Sequence, residues 1–217
     1  GDYWTVIDGN VGYNKANLRM RQAIDYQVDL GTGNPQATLT LVYTHTSTVD
    51  YPCVPEVRYD PIYELMADRC YWDYVRVYVP QNSQLLDATR VPVPAESLRS
   101  GEAEPGQVSV QPAPEGPWTT FGVLGVVPTS ETQTRSFTWT LPEDVVQWTD
   151  GEGTYTLHVQ KQPGTRAHPL TIHIRLPEEN ELVSAEPQPT STEKGWVVYQ
   201  LSLDRDQRFV VKFRKIR

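Results

Sequence analysis

The sequence predicts an all-β protein. Residues 70–80 alternate β-branched and aromatic side chains, so that Val75, Val77 and Val79 fall on one face of an extended chain. The 217 residues include 18 prolines and 14 glycines, which are residue types of turns. A similar order of strands and turns also recurs in the two halves of the chain. These three observations favour many short strands over alternating strands and helices.

Further strands are predicted on both sides of residues 70–80, because the same alternation recurs between turn-forming residues. They lie at 6–7, 16–30, 37–46, 85–89, 118–127, 134–141, 155–160, 170–176, 182–185, 196–203 and 209–213. The start of the 16–30 segment is also compatible with one or two helical turns. A short helix is expected over 61–69, with Asp60 as its cap. The proline-rich residues 91–117 are interpreted as a long loop within the first half.

An internal repeat relates the two halves of the chain. Residues 38–43 are similar to residues 154–159, and residues 75–88 are similar to residues 172–185. Each half then has a proline-bearing loop and a closing hairpin. Strands at this spacing, separated by turns, predict two tandem immunoglobulin-like antiparallel β-sandwich modules.

The predicted modules are residues 1–144, which include an N-terminal extension, and the smaller 145–217. The first carries an insertion at 47–69, flanked by Cys53 and Cys70. A disulfide closing a loop of this length would stabilise the fold by roughly 3 kcal/mol. It would also place the protein in an oxidising, extracytoplasmic compartment, with an export signal upstream of residue 1. Two free thiols in a cytosolic protein are the alternative.

Composition argues against several classes of function. A net charge of −8 disfavours a nucleic-acid partner, and no apolar run is long enough for a membrane span. His158 and His173 lie on neighbouring predicted strands and could face each other, but without a third ligand no metal site is predicted. Asp73 could carry a raised pKa among aromatic residues, although a structural carboxylate is the commoner case. No catalytic motif and no cofactor-binding motif is present, so a non-enzymatic protein without a cofactor is expected.

Two groups of residues are candidates for binding. One is the aromatic face of the 70–80 strand, which could stack on sugars or could instead be covered by the 47–69 insertion. The other is a turn rich in asparagine, which could cap strand ends or could bind a polar ligand or a neighbouring domain. The first group is Trp72, Tyr74, Arg76 and Tyr78, and the second is Asn10, Asn14, Lys15 and Asn17.

Three stretches, at residues 6–17, 74–80 and 159–165, resemble one bacterial family. It is the C-terminal extracytoplasmic region of the domain-of-unknown-function family four-zero-one-two, and Gln-Lys-Gln-Pro-Gly-Thr at 160–165 is the most specific piece. The resemblance implies an envelope protein with an N-terminal membrane anchor followed by a large extracytoplasmic region. It implies no particular activity.

The sequence therefore predicts a non-enzymatic, cell-surface scaffold or interaction region that supports or presents an upstream domain of the same polypeptide. One alternative is a module that binds cell-wall glycan through the aromatic strand face. Another is an accessory domain that completes an upstream active site through residues 10–17. A cell-envelope glycan or protein is the further partner expected.

Overall fold

A computed structural model describes residues 1–31, 33–113 and 116–216. The fold is nearly all β, with 55% strand and 8% helix. The strands are β1 Asp2–Asn10, β2 Met20–Asp29, β3 Gln36–His45, β4 Tyr71–Pro80, β5 Gln84–Ala88, β6 Ser109–Pro112, β7 Trp118–Val127, β8 Thr132–Thr140, β9 Val146–Thr149, β10 Glu152–Gln160, β11 His168–Arg175, β12 Asn180–Glu186, β13 Ser191–Glu193, β14 Trp196–Leu203 and β15 Gln207–Lys215. One short α-helix, α1, spans Tyr63–Ala67. No helix within the described ranges is long and apolar enough to cross a membrane.

The strands form two sheets that pack face to face. The first sheet has the order β12-β15-β10-β1-β4-β7-β6, with β9 added beside β10, and the second has the order β13-β14-β11-β2-β3-β8-β5. Inward-facing side chains of both sheets build one apolar core that runs through the molecule. Rings meet across this core, for example Trp4 with Tyr26 and Phe121 with Trp139.

The predicted repeat is visible in the order of the strands. Equivalent strands of the two halves have equivalent neighbours, but they lie in opposite sheets. In the second sheet β2 is followed by β3, β8 and β5, and in the first sheet β1 is followed by β10, β15 and β12. The predicted repeat matches β3 with β10, β8 with β15 and β5 with β12. Likewise β4 and β7 in the first sheet correspond to β11 and β14 in the second. Equivalent strands of the two halves therefore lie in opposite sheets.

The two halves are joined through β1 and β2, which occupy the middle of their sheets. Residues 2–5 of β1 pair in parallel with residues 157–160 of β10, and residues 24–29 of β2 pair in parallel with residues 170–175 of β11. The prediction of purely antiparallel sheets is wrong at these two joins, so both sheets are mixed. The tandem arrangement of two immunoglobulin-like modules is not confirmed, because both sheets and the core continue through both halves.

The predicted strands are confirmed, with small changes of boundary. The helical alternative for the start of 16–30 also applies in part, because Ala16–Arg19 is a single 3-10 turn before β2. The long loop at 91–117 contains a further 3-10 turn, Ala95–Ser97, and the edge strand β6. Residues 114 and 115 of that loop lie outside the described residues.

The 47–69 insertion is held by a disulfide between Cys53 and Cys70, whose Cα atoms lie 5.5 Å apart. The predicted helix is present in shorter form as α1, but the prediction of Asp60 as its cap is wrong: Ile62 occupies the N-cap position, and the Asp60 carboxylate accepts a hydrogen bond from the Ile62 N–H at 2.9 Å. The disulfide packs with Trp72, outside the main core. The predicted pairing of the two cysteines is therefore confirmed.

Candidate functional site

At one end of the sandwich, the inward-facing rows of the strands change from apolar to polar. On β1 the row Trp4, Val6 continues to Asp8, and on β8 the row Trp139, Phe137 continues to Arg135. Neighbouring strands contribute further polar side chains at the same level, namely Gln22, Tyr43, Tyr71 and Asp73. The core therefore ends in a layer of polar groups between the sheets.

The innermost part of this layer is an ion pair between Asp73 of β4 and Arg135 of β8. Both side chains are buried, and Arg135 Nη1 lies 3.3 Å from Asp73 Oδ2. The guanidinium carbon also lies 5.0 Å from the centre of the Tyr43 ring. Burial and the negative charge of Asp8 raise the pKa of Asp73 well above its usual range, against the opposing effect of Arg135.

A glycine makes room for this ion pair. Gly125 of β7 is the register partner of Asp73, and a Cβ atom there would overlap Arg135 Nη2. The guanidinium therefore lies directly against the β7 backbone. Any larger residue at this position must displace Arg135 or the strand.

Asp8 is the acid nearest to solvent in the polar layer. Its Oδ1 accepts a hydrogen bond from the Tyr43 hydroxyl at 2.6 Å, and its Oδ2 accepts one from Gln22 Nε2 at 3.2 Å. Burial raises the pKa of Asp8, while the Tyr43 hydrogen bond and the charge of Arg135 oppose that rise. Asp8 and Asp73 thus share the charge of one guanidinium, but burial outweighs that charge at both carboxyl groups, so proton uptake by this pair is favoured in the folded protein.

A cleft of about 480 Å³ opens above Asp8. Its walls come from the 10–17 turn and from the segment after β10, two stretches far apart in sequence. The residues that line it are Asp8, Asn10, Asn14, Lys15, Asn17, Leu18, Met20, Gln22, Tyr43, Tyr71, Gln162, Pro163, Gly164, Thr165, Arg166 and His168. We call this space the polar cleft. Volumes of this size are usual for ligand sites in proteins.

The wall after β10 is fixed to β1 by one side-chain amide. Beyond the pairing of residues 2–5 with β10, the Gln162 Oε1 accepts from the backbone N–H of Asp8 at 2.9 Å, and its Nε2 donates to the Asp8 carbonyl at 3.0 Å. Lys161 Nζ donates to the carbonyl and the hydroxyl of Thr165 at 2.7 and 2.9 Å. These contacts make the segment rigid, although it is not a strand.

The asparagine-rich turn divides into structural and exposed positions. Asn14 is buried: its Nδ2 donates to the Cys70 carbonyl at 3.0 Å, and its Oδ1 accepts from the Ala16 N–H at 3.1 Å. Asn10 closes the turn by accepting from the Gly12 N–H and donating to the Asn14 carbonyl. Lys15 and Asn17 are exposed at the rim of the polar cleft. Two of the four predicted residues therefore hold the turn, and the other two face the opening.

The aromatic face of β4 is only partly open. Trp72 is buried, with 5% of its surface exposed, and its Nε1 donates to the Ser97 carbonyl at 2.9 Å. Its cover consists of the 91–117 loop together with the insertion, whereas Tyr74 stays 36% exposed. Arg76 and Tyr78 are half-buried. The four residues share a face, but Trp72 lies beneath this cover and does not join Tyr74 in one open stacking surface along the strand.

The two histidines do not face each other, and that part of the sequence prediction is wrong. His158 lies on β10 of the first sheet and His173 on β11 of the second. His173 Nε2 lies 3.2 Å from Asp25 Oδ2. Among the described residues, no group of three or more histidine, cysteine, aspartate or glutamate side chains could hold a metal ion.

Asp8, Arg135 and Gln162 are not among the site residues predicted from the sequence. A signal for the first two exists, because each is a charged residue that continues an inward-facing row of apolar residues, Trp4 and Val6 on β1 and Phe137 and Trp139 on β8. Gln162 lies in one of the three stretches noted for the family resemblance, but nothing in that stretch indicates that its side chain binds the backbone of β1.

Comparison with known proteins gives likeness of fold only. No family model and no curated protein matches the chain. A candidate nutrient binding protein of Legionella pneumophila is similar over 99% of this chain and 71% of its own, with 7% identity and a TM-score of 0.48. An M1 zinc metallopeptidase from Deinococcus radiodurans is similar over 90% of this chain and 42% of its own, with 10% identity and a TM-score of 0.40.

A third solved structure, an aminopeptidase A of Legionella pneumophila, is similar over 95% of this chain and 22% of its own, with 12% identity and a TM-score of 0.40. The chain therefore spans less than half of either peptidase. At these scores and identities, the likenesses carry no inference about activity, substrate or partner.

Proposed function

We propose that this chain is a non-enzymatic interaction region of an extracytoplasmic protein, and that the polar cleft receives a polar segment of a neighbouring domain. One observation carries the proposal: two stretches far apart in sequence meet at the polar cleft and are held rigid there by hydrogen bonds from Gln162 and Asn14. A rigid site loses little conformational entropy when it binds. The exposed Lys15 and Asn17 supply donors and an acceptor at the rim.

Site-specific photo-cross-linking tests the partner. A photoreactive phenylalanine analogue replaces Asn17 in the full-length protein, expressed in its own host, and the expected product is a cross-link to an upstream segment of the same polypeptide or to an envelope protein. The matched control carries the analogue at Leu86, which is 51% exposed on the edge strand β5 and lies outside the polar cleft. Absence of a cross-link at 17, or an equal yield at 86, would contradict the proposal.

Carbohydrate binding at the polar cleft is the second candidate. Amide side chains and hydroxyl groups line it, a combination that suits the hydroxyl groups of sugars, whereas the rings of Tyr43 and Tyr71 are buried and present no stacking face. Retention on cell-wall glycan that is lost in Asn17→Ala would favour this candidate over a protein partner. The earlier alternative, stacking on the β4 face, predicts instead that Tyr74→Ala abolishes retention.

The extracytoplasmic location is part of the proposal and rests on the disulfide. Mass spectrometry of non-reduced peptides from protein isolated from its host should show Cys53 linked to Cys70. Two free thiols in that preparation would remove the argument about the compartment. Membership of the family with three matching stretches stays a prediction, and so does the absence of enzymatic activity.

A further inference from the structure

A second cavity lies on the other side of the 10–17 turn, against the outer face of the first sheet. Its volume is about 500 Å³, similar to that of the polar cleft. The residues that line it are Val11, Gly12, Tyr13, Pro55, Arg58, Trp72, Ser97, Leu98, Arg99 and Leu124. We call it the arginine pocket. It shares no lining residue with the polar cleft, so the two spaces are separate sites.

The floor of the arginine pocket is apolar and rigid. The Trp72 indole is fixed by its hydrogen bond to the Ser97 carbonyl, and the disulfide attaches the Pro55 wall to the base of β4. Gly12 lies so close to Trp72 that a Cβ there would stand 3.0 Å from the indole Cε3 atom. Leu124 extends the apolar floor along β7. Such a preformed apolar surface suits the body of a small ligand.

The charged groups of the arginine pocket are both cationic. Arg58 and Arg99 line it, no aspartate or glutamate does, and neither arginine forms an ion pair within the described part of the chain. Arg58 Nη1 donates to the Pro55 carbonyl at 2.9 Å, which fixes one edge of its guanidinium. In a protein with 27 acidic and 19 basic residues, two arginines without carboxylate partners beside one apolar cavity stand out.

We infer that the arginine pocket binds a small amphipathic carboxylate, with its apolar body on Trp72 and Leu124 and its carboxylate paired with Arg58 and Arg99. Arginine is suited to this role because its planar guanidinium binds a carboxylate through two parallel hydrogen bonds. The apolar floor disfavours a small inorganic anion, which would leave that surface wet. This site is independent of the proposed function of the polar cleft.

Ligand-detected fluorine NMR with a matched pair of probes tests the inference. Trifluoromethylphenylacetate carries the carboxylate, and trifluoromethylphenylacetamide has nearly the same shape without the charge. Because hydrogen bonds to charged groups are the stronger kind, the acid should bind at least about tenfold more tightly than the amide. Equal affinity for the two probes, or no binding of the acid at millimolar concentration, would overturn the inference.

Variants assign the binding to this pocket. The double variant Arg58→Gln, Arg99→Gln should weaken binding of the acid by roughly tenfold or more and leave the amide unchanged. Arg205→Gln is the control for charge, because Arg205 is 82% exposed on the β14–β15 turn, outside the pocket. Asn17→Ala, at the rim of the polar cleft, should also bind the acid like the unmodified protein. If Asn17→Ala or the control weakens binding as much as the double variant does, the assignment is wrong.

Discussion

The first strand carries two acids on the same inward face, the buried Asp2 at its start and the half-buried Asp8 towards its end. Asp2 lies where the halves join, and its carboxylate accepts from the hydroxyls of Tyr26 and Tyr155 and from the Tyr3 N–H. Asp8 lies below the polar cleft, where it shares Arg135 with Asp73. The Asp2 carboxylate is thus bound by hydroxyl and N–H groups at a buried position. The Asp8 carboxylate depends on a shared positive charge at the floor of an open cleft.

The difference shows two ways in which one sandwich accommodates acidic groups. A buried carboxylate that accepts from several hydroxyl groups links the strands that supply them, here β1, β2 and β10. A carboxylate at the floor of an open cleft keeps access to water and to a ligand. The first arrangement is typical of structure and the second of a site whose charge responds to what binds. Five substitutions separate the two cases.

Removal of Arg135 should have the largest effect. Arg135→Met leaves Asp73 and Asp8 without their cation, and loss of one partner of a buried ion pair costs about 3–5 kcal/mol. Urea unfolding at neutral pH measures the loss. The control is Arg175→Met, which breaks a partly exposed ion pair with Asp29 and should cost less than about 1 kcal/mol. Equal losses in the two variants would show that the shared charge is unimportant.

The buried Asp2 should make the stability of the fold depend on pH. Burial raises the pKa of Asp2 from 3.8 to about 6, so the folded state binds more protons than the unfolded state between these values. Stability contributed by this group is therefore present at acidic pH and decreases as the pH rises through this window, by about 3 kcal/mol in all.

Asp2→Asn tests that dependence, since the variant lacks the titrating group. Its stability relative to the unmodified protein should increase by about 3 kcal/mol from pH 3.5 to pH 7, measured by chemical denaturation across the range. Parallel pH profiles for the two proteins would contradict the raised pKa.

Gly125→Ala tests the shared cation without removing a charge. The added methyl group would collide with the Arg135 guanidinium, and overpacking of this kind typically costs roughly 1–3 kcal/mol. Gly33→Ala is the matched control, because nothing lies within 4 Å of a Cβ at that position. Thermal unfolding of both variants should show a loss at 125 and little change at 33.

Removal of a tyrosine hydroxyl should compare the buried site of Asp2 with the cleft site of Asp8 most directly. Tyr155→Phe removes a donor to Asp2, whose side chain is buried with 1% of its surface exposed, so water replaces the bond poorly and a loss of about 2 kcal/mol is expected. Tyr43→Phe removes the donor to Asp8, which water from the polar cleft can replace, so about 1 kcal/mol is expected. A larger loss at Tyr43 than at Tyr155 in urea unfolding would reverse the comparison.

Much of the fold could be predicted from the sequence, because the period-2 rows of Val75, Val77 and Val79 and their counterparts mark both strands and buried faces. The repeat also indicated which strands of the two halves correspond. The exchange of sheets could not be predicted, since alternation fixes which side of a strand is buried but not which strand lies beside it. The parallel joins between β1 and β10 and between β2 and β11 have no local signature for the same reason.

The candidate site was predictable only in part. The sequence marks the 10–17 turn and residues 160–165 as two separate stretches. That they lie side by side depends on the parallel pairing of β1 with β10. The sequence offers Asp73 as a carboxylate with a raised pKa, and its burial together with the negative charge of Asp8 explains that rise, against the opposing effect of Arg135. The sequence places Trp72 in a row of aromatic side chains along one face of β4. Its burial follows from the conformation of the 91–117 loop, which local sequence patterns do not specify.

The pairing of β1 with β10 has a consequence for the folding of the chain during its synthesis. Residues 2–5 are among the first of this region to leave the ribosome, yet their partners on β10, residues 157–160, emerge much later. Contacts this far apart in sequence form slowly, and an unpaired strand edge invites association with other chains. We therefore expect β1 to need protection by a chaperone, during synthesis and again during any export, until β10 arrives to complete the sheet.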